Sequence, residues 1–398
     1  MMKPQLTTSV EIKDTLREAP IPSLVRIPIE PLHKPVVKKK QLVSCGQVIA
    51  ENPAKGPHGT GYVHATIDGM VEDILPQAIV IGPAPAPKEG EAPPVFERPE
   101  PVADLDTIKG EELCRLLLEL GIDTGKFRPS RTLVINGLNP EPGVIVSELL
   151  LKDAKPTLER GLELLERAIR PATVYLVMAE SKKTSLYSCT VVPSTDRYPH
   201  TIDPLVVRKA TGSERPDDVD VISISDLYRV GRVGKTGLPL VEAIVTVGDG
   251  VYRVPTGMPV RDLLDATDTP HGKGWQVALD GPMRGDPLCD LSVGVPENCT
   301  AITVVQEGQF PPVGPNPCIN CGECVLACPA GIQPGMLSRF VEFDLVEETR
   351  SRHIAACLDC GMCAFVCPAN RPMLQYLRLA KQLLAAKDAQ LAECRLSD

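Results

Sequence analysis

Short apolar runs rich in valine and isoleucine, broken by glycine and proline, fill residues 23–80 and predict a set of brief strands. Within them, Gly46-Gln-Val-Ile-Ala and His58-Gly-Thr-Gly-Tyr-Val-His64 are spaced as in a small sandwiched barrel of the biotinyl or lipoyl type. No lysine stands in a carrier-type turn there, so no prosthetic group is expected on this module. Residues 1–22 lack a clear period and read as a polar tail. Residues 81–103, dominated by proline and glutamate, read as a linker.

The period then lengthens. Residues 111–120 carry a helical pattern closed by Gly121. A buried strand over 132–135, a long amphipathic helix over 147–169 and a second strand over 173–178 follow, and this order predicts a parallel sheet within an α/β domain spanning 104–240. Residues 241–285 read as strand, turn, strand and helix, a β-grasp unit. Met336, Leu337, Phe340, Phe343 and Leu345 recur at helical spacing and predict one helix over 335–354. Residues 373–395, within a terminal segment 373–398, form an alanine- and leucine-rich amphipathic helix.

At 398 residues the chain holds two to four compact units, and with 43% hydrophobic but only 4% aromatic residues their cores must be aliphatic. A net charge of −9 argues against nucleic acid as a partner, since phosphate binding needs a basic surface. The basic stretch from Lys34 to Lys40 reads as a solvated edge, with docking of an acidic partner as the alternative. With no apolar run of membrane-spanning length and no leader pattern, the expectation is a cytoplasmic chain whose membrane association goes through partner subunits.

Cysteine changes the picture most. Of 14 cysteines, eight lie between positions 318 and 367 in two near-identical runs. The first is Cys318-Ile-Asn-Cys321-Gly-Glu-Cys324-Val-Leu-Ala-Cys328-Pro329, the second Cys357-Leu-Asp-Cys360-Gly-Met-Cys363-Ala-Phe-Val-Cys367-Pro368. Three cysteines at steps of three let a tight loop wrap one face of a [4Fe–4S] cubane. In bacterial two-cluster ferredoxins, the fourth, before proline, ligates the other cluster. That pattern assigns Cys318, Cys321, Cys324 and Cys367 to one cluster and Cys357, Cys360, Cys363 and Cys328 to the other. Zinc also takes C-x2-C pairs, but the third cysteine and the Cys-Pro ending do not suit it. Gly322 and Gly361 are expected where a side chain would crowd the inorganic core. The other cysteines, Cys45, Cys114, Cys189, Cys289, Cys299 and Cys394, read as plain buried or half-buried thiols. The six histidines are scattered, with His58 and His64 marking a turn and a strand, and no acid–base or nucleophile constellation appears; no catalytic residue is assigned.

The order of parts resembles the C subunit of Rnf electron-transport complexes across residues 23–395. The matching pieces are Val63-His64-Ala65, Ile135-Asn136-Gly137 with Glu141-Pro142, Val247-Gly248-Asp249-Gly250, Gly281-Pro282-Met283 and the paired cysteine runs. The resemblance implies an RnfC-type barrel-sandwich domain (23–80), an α/β domain similar to the flavin subunit of respiratory complex I (104–240), an SLBB-type β-grasp (241–285) and a helical two-cluster ferredoxin domain (286–372). The fold class is thus α/β plus β modules. The resemblance also implies a peripheral subunit of a membrane-bound redox complex, with partner subunits and with ferredoxin or a flavoprotein as donor or acceptor. In that family the α/β domain carries FMN in a loop of the form G-x-G-G-A-G-F-P-T and takes hydride from NADH. Here Gly121-Ile-Asp-Thr-Gly125-Lys-Phe-Arg-Pro129 stands instead, and Leu138 and Asn139 replace an acidic pair, so the Rossmann-like domain reads as degenerate and FMN is not expected. The expected function is one-electron transfer through two [4Fe–4S] clusters. The alternative is an FMN-dependent NADH dehydrogenase subunit reducing ferredoxin, quinone or a corrinoid.

Overall fold

The computed structural model describes residues 6–9, 15–53, 56–87, 92, 94–103, 105–182, 185–186, 188–309 and 312–396, without the side chains of 393–396. Cys394 therefore lies outside the described side chains, as does much of the expected tail. The chain divides into two compact units. One comprises residues 7–281 with 286–304, the other is built on 282–285 and 305 onward.

In the larger unit, two small sheets enclose an aliphatic core. Val25–Pro28, Ala78–Gly82, Gly69–Leu75 and Leu42–Val43 form an antiparallel sheet in that order; Lys34–Pro35, Val48–Glu51 and Val63–His64 form the other. Val25, Ile27, Ile49, Ile79 and Ile81 fill the space between them. Lys34, Lys38, Lys39 and Lys40 are exposed along its rim.

The parallel sheet has the order Thr190–Ser194, Thr173–Ala179, Thr132–Asn136, Val219–Ser223. The single helix expected over 147–169 is two helices, Val146–Asp153 and Lys155–Ile169. Pro156 stands in the first turn of the second; it has no N–H to donate and is at home only there. Both helices keep their leucines on the core side, which is why one period ran through the break.

A six-stranded sheet runs Asp286–Leu288, Gln276–Leu279, Ala301–Val305, Glu242–Val247, Gly250–Pro255, Arg17–Glu18. It corrects two boundaries. Arg17 and Glu18, expected in a tail, pair in parallel with Tyr252 and Arg253. Residues 286–304, expected in the cysteine domain, belong here, because Ala301 and Ile302 pair with Thr246 and Val247. The linker is also not free of the unit: Arg98 pairs with Asp68 at 3.0 Å and Val102 N–H donates to Gly237 O.

The smaller unit is helical: Glu323–Leu326, Pro334–Glu342, Glu348–Ser351, Met362–Phe365 and Met373–Leu396. The helix expected over 335–354 stops at Glu342. Phe343 and Leu345, assigned to its apolar face, are exposed, and Asp344 turns the chain with φ +58°. Leu337, Val341, Ile354, Leu377, Ala380 and Leu384 make the core.

Candidate functional site: two cysteine groups

The two runs fold alike. In each, the residue before the second cysteine takes a left-handed backbone (Asn320 φ +56°, Asp359 φ +52°), a conformation that asparagine and aspartate tolerate. The glycine after that cysteine does so again (Gly322 φ +79°, Gly361 φ +73°) and caps a four-residue helix carrying the third cysteine. Two reversals within three residues turn successive thiols toward one side. The fourth cysteine follows that helix and is stopped by proline.

The groups that assemble are mixed between runs. Cys328 shares an apolar hollow with Cys357, Cys360 and Cys363, walled by Ala330, Ile332, Leu374 and Leu377. Cys324 lies close to Cys318, Cys321 and Cys367. At the start of the helix Pro334–Glu342, a Cβ on Gly335 would stand 3.2 Å from Cys324 Sγ and 3.9 Å from Cys318 Sγ, so the backbone closes over this group. Among the described residues no three His, Cys, Asp or Glu side chains converge as on a single metal ion. The hollow that Cys328, Cys357, Cys360 and Cys363 share is lined by thiols in apolar walls, a donor set that fits a [4Fe–4S] cubane.

The groups differ in exposure. Cys357, Cys360 and Cys363 are all below 9% exposed, whereas Cys321 is exposed and Cys318 and Cys324 are half-buried. Burial pushes the Cys357 thiol up to about 11, and Cys363 further still. These are therefore thiols at neutral pH unless iron takes the proton's place.

The surrounding side chains were not found from the sequence. Lys381, on the long helix, donates to Cys357 O at 2.7 Å and to Asp359 Oδ2 at 2.6 Å. Arg371, fully buried, donates to Asn316 O and to Glu342 at 2.7 Å, tying the entry of the first run to the end of the second. Met283, in the Gly281-Pro282-Met283 motif, lays its carbonyl against Gly361. The visible signal was the one-residue difference between twin positions, Asn320 and Asp359.

The segment 121–129 offers little to a flavin phosphate. Thr124 N–H and Gly125 N–H both donate to Gly59 O, at 2.9 and 3.2 Å, and Gly125 N–H also donates to Asp123 Oδ1. Thr124 Oγ1 donates to Pro57 O and accepts from Gly59 N–H. The backbone donors that a phosphate requires are thus spent on the strand-rich segment and on a carboxylate. The adjacent cavity, about 200 Å³, is lined by Asp123, Asp226 and Glu297 as well as Lys126 and Arg229. Both cations are committed to Asp226, at 2.9 and 3.0 Å. FMN does not fit this segment.

Of the scattered cysteines, Cys114 and Cys299 are buried and Cys45 and Cys189 half-buried, but Cys289 is exposed, against expectation. His64 is buried as a strand residue, with burial lowering it to about 4. Among the described residues no helix is long and apolar enough to cross a membrane.

Residues 317–371 match the family model of the 4Fe-4S dicluster domain. Over 441 residues the chain is 29% identical to the C subunit of the ion-translocating oxidoreductase complex of Rhodobacter capsulatus, covering 97% of this chain and 82% of that one. The equivalent C subunit from Pseudomonas aeruginosa is 28% identical over 417 residues, covering 92% of this chain and 52% of its own length. Among solved structures, an NAD+-reducing [NiFe]-hydrogenase in the H2-reduced state aligns with a TM-score of 0.43 and 16% identity, over 69% of this chain and 63% of that one.

Proposed function

We propose that this chain, a relative of the C subunit of ion-translocating oxidoreductase complexes, is an electron-transfer subunit that carries single electrons within a larger redox complex and needs no flavin to do so. The observation that carries the reading is the gathering of eight cysteines into two groups of four, each taking one member from the other run. When bound, two [4Fe–4S] clusters supply one-electron oxidation and reduction. Cys318, Cys321, Cys324 and Cys367 would hold one, and Cys357, Cys360, Cys363 and Cys328 the other. Ile332, Leu374 and Leu377 keep water from the second group, and Arg371 fixes the two runs against each other.

The committed backbone donors at Thr124 and Gly125 disfavour the alternative of an FMN-dependent NADH dehydrogenase. In this reading the α/β domain is a scaffold. The barrel-sandwich and SLBB-type modules dock partner subunits, which hold the chain peripherally at the inner face of the cytoplasmic membrane. Ferredoxin-like proteins or flavoproteins supply or take the electrons.

Cys321→Ser and Cys360→Ser variants in the assembled complex test this. Each is expected to lose one cluster signal and to stop electron flux. Flux undiminished in both would overturn the reading in favour of an assembly role.

A further inference from the structure

The twin positions Asn320 and Asp359 have the same backbone and the same relation to sulfur. Asn320 Oδ1 lies 3.7 Å from Cys318 Sγ, and Asp359 Oδ1 lies 3.6 Å from Cys357 Sγ. One is a neutral amide, the other a carboxylate. Reduction adds an electron to a thiolate-bound cluster, so a bare carboxylate beside it opposes reduction, and more strongly where burial lowers the dielectric. The second group is the buried one.

Lys381 answers that charge. It stands one turn after Leu377 and three residues before Leu384, on the face of the helix Met373–Leu396 that packs into the cysteine core. Its ammonium bridges the carboxylate of Asp359 and the carbonyl of Cys357. The bridge is half-buried, with Lys381 28% and Asp359 35% exposed, so water only partly screens it.

We propose that Lys381 is a positioning residue that sets the reduction potential of the cluster held by Cys328, Cys357, Cys360 and Cys363, by neutralising Asp359 beside Cys357. This rests on the ligand reading above. The pair gives the second cluster the near-neutral flank that Asn320 gives the first, while its buried walls set it apart. Removal of the ammonium leaves an anion and disfavours reduction; removal of the carboxylate leaves a cation and favours it.

The test is a redox titration followed by electron paramagnetic resonance on the full chain, purified anaerobically, with iron and sulfide measured on every sample. Lys381→Met is expected to lower the midpoint of one cluster by about tenfold in the reduction equilibrium, 59 mV for one electron. Asp359→Asn is expected to raise the same midpoint, and the double variant to return close to wild type. The other cluster should not move. If Lys381→Met loses its iron, Asp359→Asn and Lys381→Arg decide, the first shifting upward and the second staying near wild type. Unmoved midpoints in iron-replete Lys381→Met and Asp359→Asn would overturn the proposal and leave the ligand reading intact. A wild-type chain without iron would overturn the ligand reading itself.

Discussion

The carbonyl oxygen of Met283 lies 2.5 Å from where a Cβ on Gly361 would stand, whereas nothing lies within 4 Å of the corresponding point on Gly322. Glycine at the shared place in the two runs thus has two different causes. At Gly322 it is the left-handed backbone, with no other chain segment against it. At Gly361 a second chain segment presses on that backbone, and the Gly281-Pro282-Met283 motif gains its structural meaning from this approach.

Gly361→Ala therefore carries both strain and a clash that backbone must move to relieve. It should lose about half the iron of the wild type, from one cluster only. Gly322→Ala carries only the left-handed penalty, on the order of 1–2 kcal/mol, and should keep both clusters at a lower melting temperature. Iron analysis with thermal denaturation distinguishes them; equal iron loss in the two variants would contradict the account.

Cross-pairing between runs makes a sharp prediction for the fourth cysteines. Cys328→Ser should abolish the same cluster signal as Cys360→Ser, and Cys367→Ser the same signal as Cys321→Ser. If each fourth cysteine followed its own run, the pairs of matching spectra would be exchanged.

The difference in exposure predicts two phases of iron loss. With Cys321 exposed and Cys357, Cys360 and Cys363 buried, a chelator under mildly oxidising conditions should remove about half of the iron quickly and the remainder slowly. The first phase should coincide with loss of the signal that depends on Cys321. A single phase would count against the two environments.

Two carboxyls in the α/β cavity respond to pH in opposite senses. Burial raises Glu297 to about 7 from its ordinary 4.5. The unfolded chain ionises this group readily and the folded chain resists, so folding loses stability as pH rises from about 4.5 through 7. For Asp226, burial opposes charge, but attraction to Lys126 and Arg229 wins and holds it at about 2. Its contribution is present above the ordinary value near 3.8 and is lost as pH falls toward 2. Glu297→Gln should raise stability at pH 8 by up to about 3 kcal/mol and leave it unchanged near pH 4. Melting temperatures at the two pH values provide the check.

Local chemistry was legible in the sequence and distant chemistry was not. The cysteine runs write their chemistry into a dozen residues each, so the eight thiols could be read from their spacing, whereas the left-handed turns at Asn320 and Asp359 could not. The segment at 121–129 announced its departure by holding only two glycines, Gly121 and Gly125, though only the structure reveals that Gly59 takes up its donors. Arg17 and Glu18 carry no local strand signal, because their pairing with Tyr252 and Arg253 lies over two hundred residues away. Phe343 and Leu345 kept a helical period past the helix's end, and nothing local said that Asp344 would reverse the chain. Lys381 looked like any polar position on a long helix. Only the fold reveals that it faces Asp359.

The central claim, a flavin-free relay on two four-iron clusters, is tested most directly by iron, acid-labile sulfide and flavin content of the anaerobically purified chain. The account predicts about eight irons and eight sulfides per chain with no flavin. About one flavin per chain would contradict the reading of the 121–129 segment and restore NADH oxidation as the leading activity. An iron-poor, zinc-rich protein would contradict the site itself.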